Sequence, residues 1–393
     1  MELVLATLRL LEPGGTETYA ITIAGQLERL GHDVTLYAPE QGPMAKHARE
    51  SGLRVRGQPD ELPDEPDAVI VQDGVVSYEL AARYEEVPQI FVAHSADFDL
   101  QRPPQVTGVI NTVVVLNDRI GRRLEALGNV PALTRLRQPI DVRRFTDLGR
   151  LPDHPRRMLV FSKYLDRDRR RAVEVVAAEA GIEVTEVGGE TTTLTPEFVI
   201  GDADIVVGSG RSILEAMACG RAAYVLGRGG GDGWVTGDRY AALERDGFSG
   251  LAFGEPIDAA RLRHDLAAYA PEMGAVNRAL VVQHHRAGEH AVELAHVVAR
   301  ACAGRRDAVR APMLELARMV RVQWQTDARA GGLAHALGRA ETALRDAETC
   351  AANAQERRNA LQSELDRLKA TRRYRVMARL ARPLDAWRRR LGE

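Results

Sequence analysis

The densest run of chemistry-bearing residues lies between Asp202 and Gly220. A β-type run at 204–207 ends in Gly208-Ser209-Gly210, and a helical pattern opens at Arg211-Ser212. The N–H groups of that helix start, the Ser209 and Ser212 hydroxyls and the Arg211 guanidinium can converge on a phosphate, and Gly210 lets the backbone approach it. Glu215 stands one turn further on, on the face of Arg211. Its carboxylate can accept bonds from ribose hydroxyls or form an ordinary i,i+4 ion pair with Arg211. A second turn, Pro13-Gly14-Gly15-Thr16-Glu17, also sits between a strand and a helix and offers the same close approach; it reads equally well as a plain structural cap. It lacks the GxGxxG spacing of a dinucleotide fingerprint.

Two further candidates close strand-like runs. His94 follows 90–93 and Asp73 follows 68–71, which puts both at carboxyl strand ends, where an open α/β sheet binds ligands. Asp73 could touch an acceptor there, while His94 could equally be a structural histidine. The glycine-rich stretch 229–234 reads as a mobile wall of the cleft. His284, His285 and His290 suggest a metal cluster by type, but they fall on an apparently exposed helix without carboxylate partners, so no metal site is expected.

These residues need a scaffold that brings strand ends together. Apolar runs at 3–10, 34–38, 68–71, 90–93 and 113–116 read as strands separated by helical patterns. The clearest helix covers 16–30, with Thr16 as N-cap and Gly31 as its left-handed terminator. After a Pro-containing loop at 149–155 the pattern restarts, with strands at 158–164, 183–187, 204–207 and 222–226. The expected fold class is α/β: two Rossmann-like domains, 1–150 and 151–305, facing each other across a cleft.

Composition agrees with that size. The 393 residues are 45% hydrophobic and 27% charged, which excludes a disordered or collagen-like chain and suits two domains. No apolar run approaches the roughly 18 residues of a membrane span, and Met1-Glu2-Leu3-Val4 is no basic leader, so a cytoplasmic protein is expected. Three scattered cysteines indicate neither a disulfide framework nor a zinc site.

Beyond 305 the character changes. Residues 306–332 read as a helical linker. From 333 to 370, Leu333, Leu337, Ala340, Leu344, Ala347, Ala351, Ala354, Leu361, Leu365 and Leu368 keep an alternating four-three spacing, with Arg358 the one polar seam position. That is a heptad seam, hence a coiled coil and a possible homo-oligomer; the alternative is a single helix lying on the body. From Lys369 to the end, nine basic residues face two acids, giving +7 against −9 for the rest of the chain. Within 371–393, Met377, Leu380, Leu384, Trp387 and Leu391 form an apolar stripe. A basic amphipathic tail of this kind suits an anionic membrane surface, or else an acidic partner; the acidic body argues against nucleic acid.

Taken together, Pro13-Gly14-Gly15-Thr16-Glu17-Thr18-Tyr19, Leu30-Gly31-His32-Asp33-Val34-Thr35-Leu36 and Leu214-Glu215-Ala216-Met217-Ala218-Cys219-Gly220 resemble the glycosyltransferases of family 4 with the GT-B fold. The resemblance spans roughly residues 1 to 300. Gln138-Pro139-Ile140-Asp141-Val142-Arg143-Arg144-Phe145 is similar to the segment by which those enzymes leave their first domain. The resemblance implies an acceptor-binding first domain, with Gly14, Gly15, Thr16, Glu17 and Asp73, and a second domain that binds a nucleotide diphosphate sugar through Ser209, Gly210, Ser212 and Glu215. It implies a ribose-holding Glu215, a diphosphate cation at Lys163 to stand with the Arg211 read above, and a sugar-contacting His94. It also implies a second cation from Arg167, Arg169 or Arg170, a cluster that reads equally as a solvated helix start. No metal or other cofactor is implied. One departure stands out: the first acid of the family's paired motif should lie eight residues before Glu215, and Val207 is there.

The expected activity is retaining transfer of a hexose from a nucleotide diphosphate sugar to a bacterial glycan or lipid-linked acceptor, at the inner face of the membrane. The rivals are a GT-B sugar-nucleotide epimerase and a catalytically inactive scaffold working through its coiled coil.

Overall fold

The structure, a computed structural model, describes residues 1–162, 165–188, 192–227, 229–304, 309 and 311–377. It falls into two compact units, Met1–Val322 and Gln323–Glu393.

In the first unit, strands β1 (Glu2–Ala6), β2 (Arg9–Leu10), β3 (Asp33–Tyr37), β4 (Glu40–Gln41), β5 (Arg54–Arg56), β6 (Ala68–Val71), β7 (Gln89–Ala93), β8 (Thr112–Val115) and β9 (Leu133–Arg135) come first. Seven of them form a parallel sheet in the order β5-β3-β1-β6-β7-β8-β9, and β2 and β4 make a small separate ladder. Helices α1 (Gly15–Arg29), α2 (Pro43–Glu50), α3 (Gly74–Arg83) and α4 (Asp118–Glu125) connect them. The second sheet holds β10 (Arg157–Phe161), β11 (Glu183–Val187), β12 (Ile205–Gly208), β13 (Ala222–Leu226) and β14 (Gly231–Trp234), ordered β11-β10-β12-β13-β14. Around it run α5 (Arg167–Glu179), α6 (Pro196–Gly201), α7 (Arg211–Ala218), α8 (Tyr240–Asp246), α9 (Ala259–Ala267) and α10 (Glu272–His284). The inner strands β1, β6, β8, β12 and β13 are rich in Val, Ile, Leu and Ala and are buried, as expected of parallel strands covered on both faces, whereas the edge strands β5, β9 and β11 carry polar residues.

The chain then returns. Helix α11 (Ala287–Cys302) buries Ala291, Leu294, Val297 and Val298 in the core of the first sheet, beside Leu3, Leu5 and Ile23. Each half is therefore joined to the other by two crossing segments.

Two local expectations are corrected. The stretch at 229–234 is not a mobile loop: Gly231–Trp234 is β14, antiparallel to β13. Trp234 stacks edge-on against Tyr224 and donates its indole N–H to the Asp265 carbonyl, and the buried Asp232 carboxylate accepts from the amides of Ala252 and Phe253. Helix α1 begins one residue before Thr16, with Gly14 as N-cap and no side-chain hydrogen bond at the cap; the Thr16 hydroxyl is instead turned to Glu17 Oε2. Gly31 does terminate it in the left-handed region, at φ +86°.

Helix α12 (Met313–Ala370) is continuous for 58 residues. Its first turns belong to the first unit, where Met313 and Ala317 are buried and Arg321 pairs with Glu40 and Glu79. In the second unit the helix leaves Leu333, Leu337, Leu344, Leu361, Leu365 and Leu368 exposed, Leu333 at 73%. Among the described residues, no helix is long and apolar enough to cross a membrane. Most of the basic tail, 378–393, lies outside the described residues.

Candidate ligand cleft

Two turns meet at one cleft. Pro13-Gly14-Gly15 leads into α1 and Ser209-Gly210 leads into α7, and residues of both border a cavity of about 230 Å³. Gly14, Gly15, Ser209, Arg211, Ser212 and Glu215 are all on its wall.

The two helix starts differ electrostatically. In α1, Thr16 Oγ1 donates to Glu17 Oε2 at 3.0 Å, and a methyl group on Gly14 would collide with that same oxygen. The carboxylate of Glu17 thus lies back over the first turn and offsets the helix dipole. Helix α7 has no acid in its first turn and no side-chain cap at Gly210. Its partial positive charge stays uncompensated, so an anion is favoured on the α7 side of the cleft.

Backbone geometry shapes that side. Gly210 takes φ +64°, a region that penalises any Cβ, and donates its N–H to the Phe248 carbonyl at 2.8 Å. A Cβ on Gly208 would sit 2.7 Å from the Phe161 carbonyl oxygen, which explains the glycine at the end of β12. Ser212 Oγ donates to the Ser209 carbonyl at 3.0 Å and tightens the turn.

Arg211 is bonded on two sides. Its Nε donates to Glu215 Oε1 at 2.8 Å and its Nη1 to the Pro139 carbonyl at 3.0 Å. Its Nη2 is buried and has no partner among the described residues. Burial raises the pKa of Glu215, and the charge of Arg211 opposes that rise. The i,i+4 ion pair is therefore present, and the same two residues border the cleft. A second guanidinium on the wall, Arg144, was not singled out by the sequence; it grips Glu197 Oε2 through Nε and Nη2 at 3.0 and 2.8 Å. His47 also borders the cleft without any motif to announce it, and Thr18 borders it from within the quoted run at 13–19.

Other expected residues lie elsewhere. His94 is held at its strand end by Gln72 Oε1, 2.6 Å from Nε2, and by the edge of Tyr19. Burial, then the positive charge of Arg211, pushes its pKa down to about 3, so it is neutral and takes no proton near pH 7. Asp73 is buried and caps α3: its oxygens accept from Val76 N at 3.0 Å and Leu8 N at 2.6 Å, and it does not border the cleft. Burial raises its pKa to about 7. Thr16 and Glu17 bond to each other in the first turn of α1 and do not border the cleft. Arg167 is exposed on the first turn of α5. Lys163 lies outside the described residues, between the cleft residue Ser162 and Leu165. Val207, in place of the expected acid, is buried in the core between the second sheet and α5, next to Tyr224 in the ladder.

The histidines of 284–290 require a correction. His285 and His290 are buried, not exposed: His290 lies on α11, which packs back on the first half against Tyr19, and His285 caps α10 against Tyr240 and Phe248 of the second half. They bond to carbonyls and tyrosine hydroxyls, and among the described residues no group of three or more His, Cys, Asp or Glu could hold a metal ion.

No protein-family model matches the sequence, and no curated protein matches it. Among solved structures, HepE of Anabaena, in complex with UDP and glucose, aligns with a TM-score of 0.54 at 13% identity, covering 76% of this chain and 100% of that one. The chain has the GT-B fold. A glycosyltransferase from Rickettsia africae aligns with a TM-score of 0.53 at 14% identity, over 76% of this chain and 98% of its own. Both alignments leave about a quarter of the present chain uncovered.

Proposed function

We propose that this protein is a retaining, metal-independent glycosyltransferase that moves a hexose from a nucleotide diphosphate sugar to a bacterial glycan or lipid-linked acceptor. One observation carries the reading: a half-free guanidinium, Arg211, stands at an uncompensated helix start, beside a carboxylate, in a cleft closed on the other side by a glycine turn. A leaving diphosphate develops negative charge, and fixed N–H donors aimed at it stabilise that charge without a metal. Arg211 would carry the phosphates, Glu215 the ribose, and the Gly14-Gly15 side the acceptor. Lys163 is proposed as the second cation, from the family resemblance. His94, neutral, would donate to or accept from a sugar hydroxyl, and would not act as base. HepE, which shares the fold, was solved with UDP and glucose, and this supports a nucleotide sugar as the donor.

The apolar ridge of α12 is proposed to pair with a second copy, and the basic tail to hold the protein on an anionic membrane surface on the cytoplasmic side. The test of the enzymatic reading is incubation with a panel of nucleotide sugars and a lipid-linked acceptor, followed by NMR of the product's anomeric proton. Transfer with retained configuration supports it. Turnover of the nucleotide sugar without acceptor would indicate an epimerase. The buried Val207 favours a second reading, an inactive scaffold, which predicts no turnover of any donor.

A further inference from the structure

The segment 137–140 carries the chain from the first half to the second, and 284–290 carries it back. Four consecutive carbonyls of the first crossing are all engaged. The Arg137 carbonyl lies 2.8 Å from His290 Nδ1, that of Gln138 2.7 Å from His285 Nδ1, that of Pro139 3.0 Å from Arg211 Nη1, and that of Ile140 2.9 Å from Ala287 N. Ile140 N donates back to the His285 carbonyl at 2.7 Å. A carbonyl only accepts, so each Nδ1 carries the proton, and each Nε2 is left to accept from a hydroxyl. Those hydroxyls are Tyr19 in α1 for His290 and Tyr240 in α8 for His285, both at 2.8 Å. One histidine is thus anchored in each half. The Pro139 ring restricts the backbone, so the carbonyl that seats Arg211 follows the peptides held by the two imidazoles.

We propose that His285 and His290 are positioning residues for Arg211: by fixing the carbonyls of Gln138 and Arg137 they hold the Pro139 carbonyl where it aims the guanidinium into the cleft. The functional meaning of this inference rests on the donor-site reading, but the geometry exists without ligand. A purely structural role would depend on burial and packing, whereas positioning depends on one donor atom, Nδ1.

The two roles separate by a pair of polar variants at each site. His290→Asn keeps a donor near the Nδ1 position and loses the acceptor for Tyr19; His290→Gln keeps the acceptor reach and loses the donor; the same pair is made at His285. The readout is the rate of phenylglyoxal modification at Arg211 in the ligand-free full-length protein, mapped by peptide mass spectrometry, with exposed Arg150 as internal reference. In the wild type, Arg211 should react at least about ten-fold more slowly than Arg150. In the Gln variants the Arg211 rate should rise about five-fold, and in the Asn variants it should stay within about two-fold of wild type. An unchanged Arg211 rate in the Gln variants, or equal rates in the Asn and Gln members of a pair, overturns the assignment. If one variant does not fold, the pair at the other histidine decides. A parallel UDP titration of the wild type addresses the donor-site reading alone, so loss of that reading is distinguishable from loss of this one.

Discussion

Nη1 of Arg211 donates to the Pro139 carbonyl at 3.0 Å, so a cation that borders the cleft is bonded directly to the segment joining the two halves. The same guanidinium holds Glu215 through Nε, with the side chains only 12% and 7% exposed. A buried pair of this kind is asymmetric when broken. A carboxyl left alone can protonate, and burial already raises the pKa of Glu215; a guanidinium left alone stays charged. Glu215→Ala should therefore cost about 3–5 kcal/mol of stability, and Arg211→Ala clearly less at pH 6. Urea melts of both variants check the order; equal losses would contradict it.

Acid should destabilise the protein through its buried imidazoles. The pKa values of His94 and His285 fall to about 3 and that of His290 to about 4, mainly by burial, against an ordinary value near 6.5. Below pH 6.5 the unfolded chain takes up these protons and the folded one does not, so each histidine removes up to about 1.4 kcal/mol per pH unit until its folded pKa is reached. Asp73, raised to about 7, works in the opposite sense: the folded state takes its proton first, so its contribution is greatest below pH 4 and is lost as pH rises towards 7. Glu215 adds to Asp73 in sense. Stability should fall from pH 7 to pH 5, and Asp73→Asn should steepen the fall. Melts at three pH values decide; a flat profile in both proteins refutes the prediction.

The inner strands were legible in the sequence because parallel strands covered on both faces are written as short apolar runs; β6, β7, β8, β12 and β13 fall within a residue of those runs. The Arg211–Glu215 pair followed from helical spacing alone. What escaped was set by distant packing. His290 became buried because α11 returns to the first half, and His285 because the end of α10 meets Tyr240 and Phe248; nothing in the local pattern of 284–302 records either contact. Strand β14 was hidden because Gly231 and Gly233 lack side chains to give it a period, and its edge is secured by Asp232 and Trp234 reaching partners at 252–265. Arg144 lay within a quoted motif, but its place on the cleft wall depends on how α6 presents Glu197.

Thiol chemistry offers a simple probe of the second half. Cys219 is buried and its pKa is pushed up to about 12, while Cys302 and Cys350 are exposed. Ellman's reagent should titrate two thiols in the native protein and the third only on unfolding, so its rate reports opening of the α7 region. Three fast thiols would place Cys219 at the surface and contradict the packing of α7.

The exposed leucines of α12 predict association. Light scattering should give a dimer for the full chain, and Leu361→Asp with Leu365→Asp should yield a monomer without changing the melting of the two-sheet body. A monomeric wild type at micromolar concentration would remove the pairing.

The central claim is that Arg211 grips the diphosphate of a nucleotide, and calorimetric titration with UDP, ADP, GDP and dTDP tests it most directly. The expected result is binding of at least one of them, weakened in Arg211→Ala by about 1.5–3 kcal/mol, as for charge-assisted hydrogen bonds. Binding by none of them, or equal affinity in the variant, would contradict the account.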